Sequence, residues 1–413
     1  MGNMIRSFYI DNFKSLVDFR LPPFPHELGS FTCMVGLNGA GKSTVLQAFD
    51  FLGQLARGDI EGWLRERDWN KSELTSRFLK KQLISFRVEL EVSGVGSVTW
   101  EGMYNVSLQR CTQENVRAGG VEVLKIGEQH LNVAGPDSKS QLQYPLHGLD
   151  YQGSTLSILK AEKLHPALHA LKELVGNLRS LDMLSPQSMR RRAKEGVDIG
   201  YGGERLSAYL HGLTKPAQER LLNTLKQFYP KLENWTTTAL RAGWKDLRVS
   251  ESYQDANRKP LETGARQIND GLLRVLAVLS QVEANATLPS GAGLTTGSGG
   301  LLPRSCVLFD EIENGINPEL MQRLVEVLLS ADRQVIVTTH SPLILNFLPD
   351  DIAQRAVILL YRNELGYAKA VRLFDLPSAQ QRLKLLGPGE VFVDLDFRDL
   401  PAEAASLVAG PRP

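Results

Sequence analysis

The stretch Gly36-Leu-Asn-Gly-Ala-Gly-Lys-Ser-Thr44 decides the fold, because it matches the P-loop pattern G-x-x-x-x-G-K-[ST]. In this pattern glycines let backbone N–H groups turn toward phosphate oxygens, and the N-terminus of the following helix adds partial positive charge. Lys42 is expected to reach the β- and γ-phosphates and to assist catalysis, while Ser43 is expected to hold Mg²⁺. The predicted phosphate-binding residues are Asn38, Gly39, Ala40, Gly41, Lys42, Ser43 and Thr44.

The flanks of this stretch fit the strand and helix that such a loop requires. The run Phe31-Thr-Cys-Met-Val35 is apolar and β-prone, which predicts a buried strand. From Ser43 to Leu55 apolar residues recur at helical spacing, which predicts a helix. The sequence therefore predicts a strand, a phosphate loop and a helix in succession.

A second apolar run, Cys306-Val-Leu-Phe-Asp310, ends in an acid. Open α/β sheets bind ligands at the carboxyl ends of their strands, so Asp310 is the expected second Mg²⁺ ligand. Glu311 follows at once and should point away from the side of Asp310. It is the candidate general base, placed to orient or deprotonate a water beside the γ-phosphate.

Another buried strand is predicted over Arg333-Gln-Val-Ile-Val-Thr-Thr339. His340 follows it, and its imidazole is expected to hydrogen-bond the γ-phosphate and to sense its loss. A histidine at a strand end is often structural, but its place after a second core strand favours the functional interpretation.

The order of these motifs, with Asn269-Asp-Gly271 between them and Thr338-Thr-His-Ser-Pro342 at the end, resembles the ABC-type ATPases of the SMC/RecF/OLD group. The resemblance is closest to short bacterial AAA-family ATP-binding proteins that lack a long coiled coil and a nuclease domain. It implies an α/β P-loop NTPase with a mixed central sheet, an antiparallel β-subdomain and an inserted helical lobe. The implied cofactors are ATP and Mg²⁺.

The resemblance also assigns the opening segment Ile10-Asp-Asn-Phe-Lys-Ser-Leu16 to the strand that lies against the nucleotide in this group. Lys14 and Ser15 are therefore expected beside the nucleotide. The alternative is an ordinary first strand followed by an exposed lysine.

The same resemblance identifies Asn269, Asp270 and Gly271 as a divergent signature motif, which caps the γ-phosphate bound by a partner subunit. Each site would then be shared in a head-to-tail homodimer that ATP holds together, with Asn314 to Pro318 as the loop at the interface. Asn269 stands where serine is usual but is a good N-cap, so a capped amphipathic helix with no further role is the alternative. Gln82 and Gln187 are both candidates for the Q-loop residue, and the alternative for each is an ordinary surface amide.

Patterning divides the 413 residues into parts, with 42% hydrophobic residues sufficient for a globular core. Short alternating runs from 83 to 135 predict antiparallel strands, and apolar stripes after 154 predict a compact helical lobe without a long arm. The Gly/Ser/Thr-rich stretch from Ser290 to Gly300 predicts a mobile loop. The predicted parts are 1–150 (P-loop and β-subdomain), 151–260 (helical lobe), 261–390 (signature, acid pair and His340) and 391–413 (tail).

Composition restricts the protein class. Cys33, Cys111 and Cys306 lack metal-ligand spacing and indicate buried thiols in a reducing compartment. No apolar run approaches the roughly 18 residues of a membrane span, and the N-terminus lacks the layout of a signal peptide. We therefore expect a cytoplasmic protein with no membrane partner.

Charge suggests one possible partner. The net charge is +1, yet residues 160–260 contain 18 Lys and Arg against 11 Asp and Glu. The densest cluster, Arg190, Arg191 and Arg192, could bind a DNA backbone. A solvated face or a site for an acidic protein explains the charge equally well, because no alternation of aromatic and basic residues marks a stacking surface.

The segment Gly389-Glu-Val-Phe-Val-Asp-Leu-Asp396 contains acids that could form a metal site, but its alternation favours an edge strand or tail. The 73 residues after His340 are too few for an added nuclease fold, so a separate effector such as a nuclease or toxin is expected.

The predicted function is thus ATP binding and hydrolysis by a sensor or motor acting on DNA or on that effector, in anti-phage defence or DNA repair. The alternatives are a nucleotide-gated scaffold with little turnover and a transporter's nucleotide-binding subunit. The absence of Leu-Ser-Gly-Gly-Gln argues against the transporter.

Overall fold

A computed structural model describes residues 3–136, 140–160, 164–182, 184–196, 198–283 and 306–408. The predicted mobile loop from Ser290 to Gly300 lies outside the described residues, as does the end of the predicted tail. The strands are β1 (Met4–Asp11), β2 (Phe19–Leu21), β3 (Phe31–Val35), β4 (Leu83–Val92), β5 (Gly96–Asn105), β6 (Arg110–Ala118), β7 (Val121–Ile126), β8 (His130–Ala134), β9 (Gln141–Pro145), β10 (Ser180–Leu181), β11 (Leu232–Ala239), β12 (Lys245–Gln254), β13 (Pro260–Gly264), β14 (Cys306–Phe309), β15 (Gln334–Thr338), β16 (Val357–Arg362) and β17 (Ala368–Arg372).

The helices are distributed among these strands. They are α1 (Lys42–Arg57), α2 (Ile60–Glu66), α3 (Pro166–Gly176), α4 (Pro186–Met189), α5 (Leu206–Gly212), α6 (Lys215–Phe228), α7 (Asp270–Val282), α8 (Pro318–Leu329), α9 (Pro342–Asn346), α10 (Asp350–Ala356), α11 (Pro377–Leu383), α12 (Pro388–Asp394) and α13 (Leu400–Val408).

The central sheet has the order β10-β14-β15-β3-β16-β17. Its neighbours pair in parallel except at β17, which is antiparallel to β16. Every residue of β3, β14 and β15 is buried, as expected of parallel strands covered on both faces. The predicted mixed central sheet and the three predicted core strands are confirmed.

Alternate residues of these strands face two different hydrophobic cores. Met34 and Leu308 pack in the core that contains α1, whereas Val35 and Phe309 pack in the core that contains α7 and α8. This two-residue period follows from the strand geometry, and it places α1 and α7 on opposite faces of the sheet.

An eight-stranded antiparallel sheet, ordered β2-β1-β4-β5-β6-β7-β8-β9, covers the outer side of α1. Phe8 of β1 stacks against Phe49 of α1 with ring centres 4.6 Å apart, so α1 lies between the two sheets. The antiparallel strands predicted from 83 to 135 are confirmed, and β4 alternates buried and more exposed residues along its length.

The lobe predicted to be helical is helical only in its first half. The predicted apolar stripes lie on α3 and α6, where Leu168 and Leu221 are fully buried. From Leu232 to Gly264, however, β11, β12 and β13 form a three-stranded antiparallel sheet, so the prediction of helices as far as residue 260 is wrong there. Only Leu232, Trp235, Leu247 and Val249 are buried on these strands, too few to produce a clear two-residue period in the sequence. The domain limits themselves stay predictions.

The segment from 389 to 396 is a helix, α12, for most of its length, and the predicted edge strand is wrong. Pro388 occupies the first turn and the Glu390 carboxylate accepts the Gly387 N–H at 2.9 Å, which starts the helix. Val391, Phe392 and Leu395 are buried at helical spacing. The alternation of acidic and apolar residues in this segment had instead predicted a strand. Asp394 accepts a hydrogen bond from Arg382, and Asp396 pairs with Arg398.

The three cysteines are buried and free, and burial raises the pKa of the Cys33 and Cys306 thiols well above the usual range. Both lie in core strands, as predicted. Among the described residues, no helix combines the length and the apolar character that crossing a bilayer requires.

Candidate nucleotide-binding site

The P-loop joins β3 to α1 at the carboxyl edge of the central sheet. Asp310 follows β14 and Thr338 ends β15 at the same edge, because all three strands are parallel. The sheet therefore brings together motifs that lie about three hundred residues apart in the sequence.

Only glycine can occupy two positions of the P-loop. Gly36 has φ 147°, and a Cβ there would lie 2.3 Å from the carbonyl oxygen of Leu360. Gly41 has φ 108°, and a Cβ there would lie 3.1 Å from Cβ of Ala368. Glycine is thus required at Gly36 by the neighbouring backbone and at both positions by the positive φ.

Lys42 is buried across the loop, with its ammonium donating to the carbonyls of Gly36 at 2.8 Å and Leu37 at 3.2 Å. Burial lowers the pKa of Lys42, while Asp310 and Glu311 oppose that change. Helix α1 begins at this lysine without a side-chain cap and without an acid in its first turn. Its first N–H groups and its positive end therefore face the loop, which suits a phosphate.

The two predicted Mg²⁺ ligands lie together. The Ser43 and Thr338 hydroxyls hydrogen-bond the Asp310 carboxylate. Burial raises the pKa of Asp310, these hydrogen bonds lower it, and the charges of Asp182 and Glu311 raise it further. Hard oxygen ligands of this kind fit Mg²⁺, which usually takes one or two protein groups and completes its shell with phosphate oxygens and water.

The described residues contain no group of three or more His, Cys, Asp or Glu arranged to hold a metal ion without such help. Ser43 and Asp310 would therefore hold Mg²⁺ only as part of a metal–nucleotide complex.

Glu311 and His340 face each other beside this pair. The Glu311 N–H donates to the Thr338 hydroxyl at 2.8 Å, and its carboxylate lies 3.6 Å from Nε2 of His340. The His340 N–H donates to Glu313 at 2.7 Å. Because β14 ends at Phe309, the direction of Glu311 is set by its left-handed backbone, with φ 46°, rather than by strand alternation. Both side chains are partly exposed, as a water-activating group requires.

Lys14 and Ser15 lie against the P-loop. The Lys14 ammonium donates to Gln47 of α1 at 3.0 Å and lies 3.1 Å from the centre of the Trp69 ring. Burial, with the nearby charge of Arg67, lowers the pKa of Lys14 to about 8. The Ser15 hydroxyl is buried without a hydrogen-bond partner, and it would lie 3.3 Å from a Cβ at Gly41. The alternative of an exposed lysine is wrong, because Lys14 is half-buried.

Asp182 is a functional candidate that the sequence did not reveal. It follows β10, which pairs in parallel with β14, so it lies at the same sheet edge as Asp310. Its carboxylate accepts bonds from Arg67 at 2.9 and 3.1 Å and from Gln47 at 3.1 Å. A two-residue strand gives no apolar run, so no sequence signal marked this position.

Neither residue considered for the Q-loop follows a strand of the central sheet. Gln82 precedes β4 of the antiparallel sheet, and Gln187 lies in α4. Strand β10, which pairs with β14 in the central sheet, is followed by Asp182.

The predicted signature residues begin α7. The Asn269 side chain accepts the Leu272 N–H at 2.7 Å, as an N-cap does, and Asn269 and Asp270 are exposed. A Cβ at Gly271 would lie 3.4 Å from the carbonyl oxygen of Gly315. The signature turn thus packs on the loop that follows Glu311 and keeps an open outer face.

The basic cluster predicted to bind DNA is partly neutralised. Arg190 donates to the carbonyl of Ile268 at 2.7 Å and pairs with Asp270, and Arg192 pairs with Asp246 at 2.7 Å. Arg191 is exposed. The three arginines therefore do not form one free basic face.

These features define an α/β protein with a P-loop at the carboxyl edge of its central sheet. A family model described as "AAA domain, putative AbiEii toxin, Type IV TA system" matches residues 31–95 and 209–346, which include the P-loop, the signature turn and His340. No curated protein sequence matches the chain.

Among solved structures, an SMC head bound to the C-terminal winged-helix domain of ScpA is similar, at 12% identity and a TM-score of 0.53. The similarity covers 89% of this chain and 96% of that one. An SMC head with an extended coiled coil bound to the C-terminal domain of ScpA, from Pyrococcus furiosus, has 10% identity, the same coverage and a TM-score of 0.51. The chain has the fold of an SMC head, so the resemblance predicted from the sequence is confirmed at the level of the fold.

Proposed function

We propose that the chain binds and hydrolyses ATP with Mg²⁺ as a homodimer that forms around the nucleotide. The observation that carries this proposal is the contact made by the Thr338 hydroxyl with both the Asp310 carboxylate and the Glu311 N–H. One side chain thus fixes a metal ligand and a candidate base beside the P-loop.

Each residue has a role that follows from its position. Lys42 and the N–H groups of residues 38–44 bind the phosphates, and Ser43 and Asp310 hold Mg²⁺, which supplies charge neutralisation on the phosphate oxygens. Glu311 accepts a proton from the attacking water, and its partly exposed carboxylate can be reached by that water. His340, 3.6 Å from Glu311, is placed to donate to the γ-phosphate and to register its departure.

The exposed Asn269 and Asp270 support a shared site, because a signature turn can serve a second copy only if its outer face is accessible. The packing of Gly271 on Gly315 supports a link between that turn and the loop after Glu311. Two copies related by two-fold symmetry would each complete the other's site.

The test is Glu311→Gln, which keeps the shape of the side chain and removes the base. Hydrolysis should fall by at least about 100-fold, since general-base catalysis contributes roughly that much, while ATP binding persists. The variant should accumulate as a dimer in ATP, measured by light scattering after size-exclusion chromatography. Glu326→Gln, at an exposed position of α8, is the matched control.

A nucleotide-gated scaffold would respond differently. Its wild type would show negligible turnover, and Glu311→Gln would leave both the turnover and the ATP-dependent assembly as they were. That result would replace hydrolysis with nucleotide gating as the function.

We also propose a separate effector protein, with anti-phage defence or DNA repair as the setting. The description of the matched family names a toxin and a TA system, and the similar SMC heads bind ScpA, which supports action through a partner. The product of an adjacent gene should co-purify with Glu311→Gln in ATP and not with Lys42→Ala. Equal recovery with both variants would contradict nucleotide-controlled binding.

A further inference from the structure

An open pocket of about 860 Å³ lies beside the signature turn, and four arginines are among the residues that line it. We name it the arginine pocket. Its walls come from the α4 region, from β12 and from the segment that leads into α7. The charged residues that line it are Arg190, Arg191, Arg192, Arg266 and a single acid, Asp246.

The arginine pocket has unbalanced positive charge. Asp246 pairs with Arg192, and Asp270, just outside the pocket, pairs with Arg190. Within the described ranges, Arg191 and Arg266 are both exposed and make no ion pair. Guanidinium groups present several N–H donors in a plane and match phosphate oxygens in pairs, so this charge favours a phosphate-bearing ligand.

An exposed tryptophan lies at the edge of the arginine pocket. The Lys245 N–H donates to the Ala193 carbonyl at 2.8 Å, which brings the chain after Arg192 beside the start of β12. As a result the Lys194 ammonium lies 5.1 Å from the centre of the Trp244 ring, and Trp244 is 41% exposed. The aromatic and basic residues of a stacking surface, which do not alternate in the sequence, are therefore neighbours in space.

From these observations we propose that the arginine pocket and Trp244 bind single-stranded nucleic acid. Arg191 and Arg266 contact backbone phosphates, and a base stacks on the Trp244 indole. A duplex fits less well, because its bases are already stacked on each other and cannot cover the indole. This proposal names the partner of the ATPase proposed above, and only its coupling to ATP rests on that function.

Arg190 provides the coupling. It lines the arginine pocket and also holds Asp270 and the Ile268 carbonyl at the start of α7. Its Nε is buried without a hydrogen-bond partner. A phosphate that draws Arg190 away from Asp270 alters the charge of the signature turn, and strand binding should therefore change ATP-dependent dimerisation.

The test is fluorescence anisotropy in the absence of ATP. The labelled probes are 20-nucleotide oligo(dT) and oligo(U) strands and a DNA duplex of the same length. The double variant Arg191→Glu/Arg266→Glu should bind a single strand about 10- to 100-fold more weakly at low salt. Its slope of log affinity against log salt should fall by about 1.4, for two lost phosphate contacts. Trp244→Ala should bind a single strand about 5- to 100-fold more weakly.

Two controls separate charge from folding. Arg117→Glu reverses the charge of an exposed arginine on β6, which belongs to the eight-stranded sheet and does not line the arginine pocket. This variant should bind a single strand like the wild type. Arg191→Lys/Arg266→Lys keeps the charge and should recover most of the affinity lost in the Glu pair. Loss of binding in Arg117→Glu equal to that in the Glu pair would assign the effect to net charge and overturn the site.

Other results would also refute the proposal. Binding by the duplex as tight as by single strands, with Trp244→Ala unchanged, would remove base stacking. An unchanged affinity in Arg191→Glu/Arg266→Glu would show that the arginine pocket is not the binding site. If the wild type bound no strand, single-stranded nucleic acid would not be the ligand. Lys42→Ala should still bind the strand, so failure of the ATPase proposal and failure of this one are distinguishable.

Discussion

Helices α1 and α7 both begin at positions predicted to contact a triphosphate, but the two beginnings differ in physical state. Helix α1 starts after Gly41 with no side-chain cap and no acid in its first turn. Helix α7 starts after Asn269, whose side chain already accepts the Leu272 N–H, and carries Asp270 in its first turn. An anion meets free N–H groups at α1, whereas at α7 it must compete with groups of the protein itself.

The two helix beginnings also differ in what surrounds them. Lys42 is buried and α1 lies between two sheets, so this end is fixed before a ligand arrives. Asn269 and Asp270 are exposed, so the end of α7 is open to a second copy. Under the proposed function, α1 supplies the phosphate-binding part of the site from one chain, and α7 would reach a nucleotide only when a second copy docks.

The largest expected effect tests how firmly α1 is fixed. Asp50 of α1 is fully buried and accepts bonds from Trp63 at 2.7 Å and Arg67 at 2.9 Å. Asp50→Ala leaves Arg67 buried with Asp182 as its one carboxylate partner among the described residues, which should lower the free energy of unfolding by about 3–5 kcal/mol. Urea denaturation measures the loss. Asp351→Ala, at an exposed ion pair of α10, should change stability by less than about 1 kcal/mol.

An Asp50 variant as stable as the Asp351 variant would mean that the bonds of Asp50 with Trp63 and Arg67 do not hold α1 in place. The fixed character assigned to α1 would then have to come from apolar packing alone.

Lys42→Ala should weaken binding of Mg²⁺·ATP by about 100-fold, because hydrogen bonds from a charged donor contribute roughly 1.5–3 kcal/mol each. Isothermal titration calorimetry measures the affinity, with Lys226→Ala on the exposed face of α6 as control. Retained affinity in Lys42→Ala would contradict the assignment of the primary phosphate site.

Asn269→Ala should cost about 1 kcal/mol of stability through loss of the cap, and Asn269→Ser should restore most of it. In the Glu311→Gln background the alanine variant should also dimerise less well in ATP, while the serine variant should not. Normal ATP-dependent dimerisation of the alanine variant would leave α7 as a capped helix with no part in the shared site.

A pH-dependent effect concerns Lys14, whose pKa is lowered to about 8 from an ordinary value of 10.5. Between pH 8 and 10.5 the unfolded chain binds more protons at this lysine than the folded chain, so stability should rise with pH in that window. Lys14→Met should lack this rise. The measurement is the difference in unfolding free energy between wild type and variant across the window, and parallel curves would contradict the assignment.

Sequence reasoning worked best where function requires a contiguous motif. The P-loop glycines, the acid after β14 and the histidine after β15 each lie next to a fully buried strand, so pattern and position agree. Sequence reasoning failed where an element was very short, or where the same pattern fitted both a strand and a helix. The strand before Asp182 has two residues, and Glu390 and Asp394 lie on a helix because Val391, Phe392 and Leu395 are buried together.

Local chemistry in the sequence determined the phosphate loop, its glycines and the core strands, because a backbone turn and a buried run leave their mark within a few residues. Tertiary structure decided the rest. The meeting of Asp310 with Thr338, of Asp182 with Arg67, and of Lys194 with Trp244 depends on strand order and on chain segments far apart in sequence. Contacts of that kind are selected by packing of the whole fold, which no local pattern records.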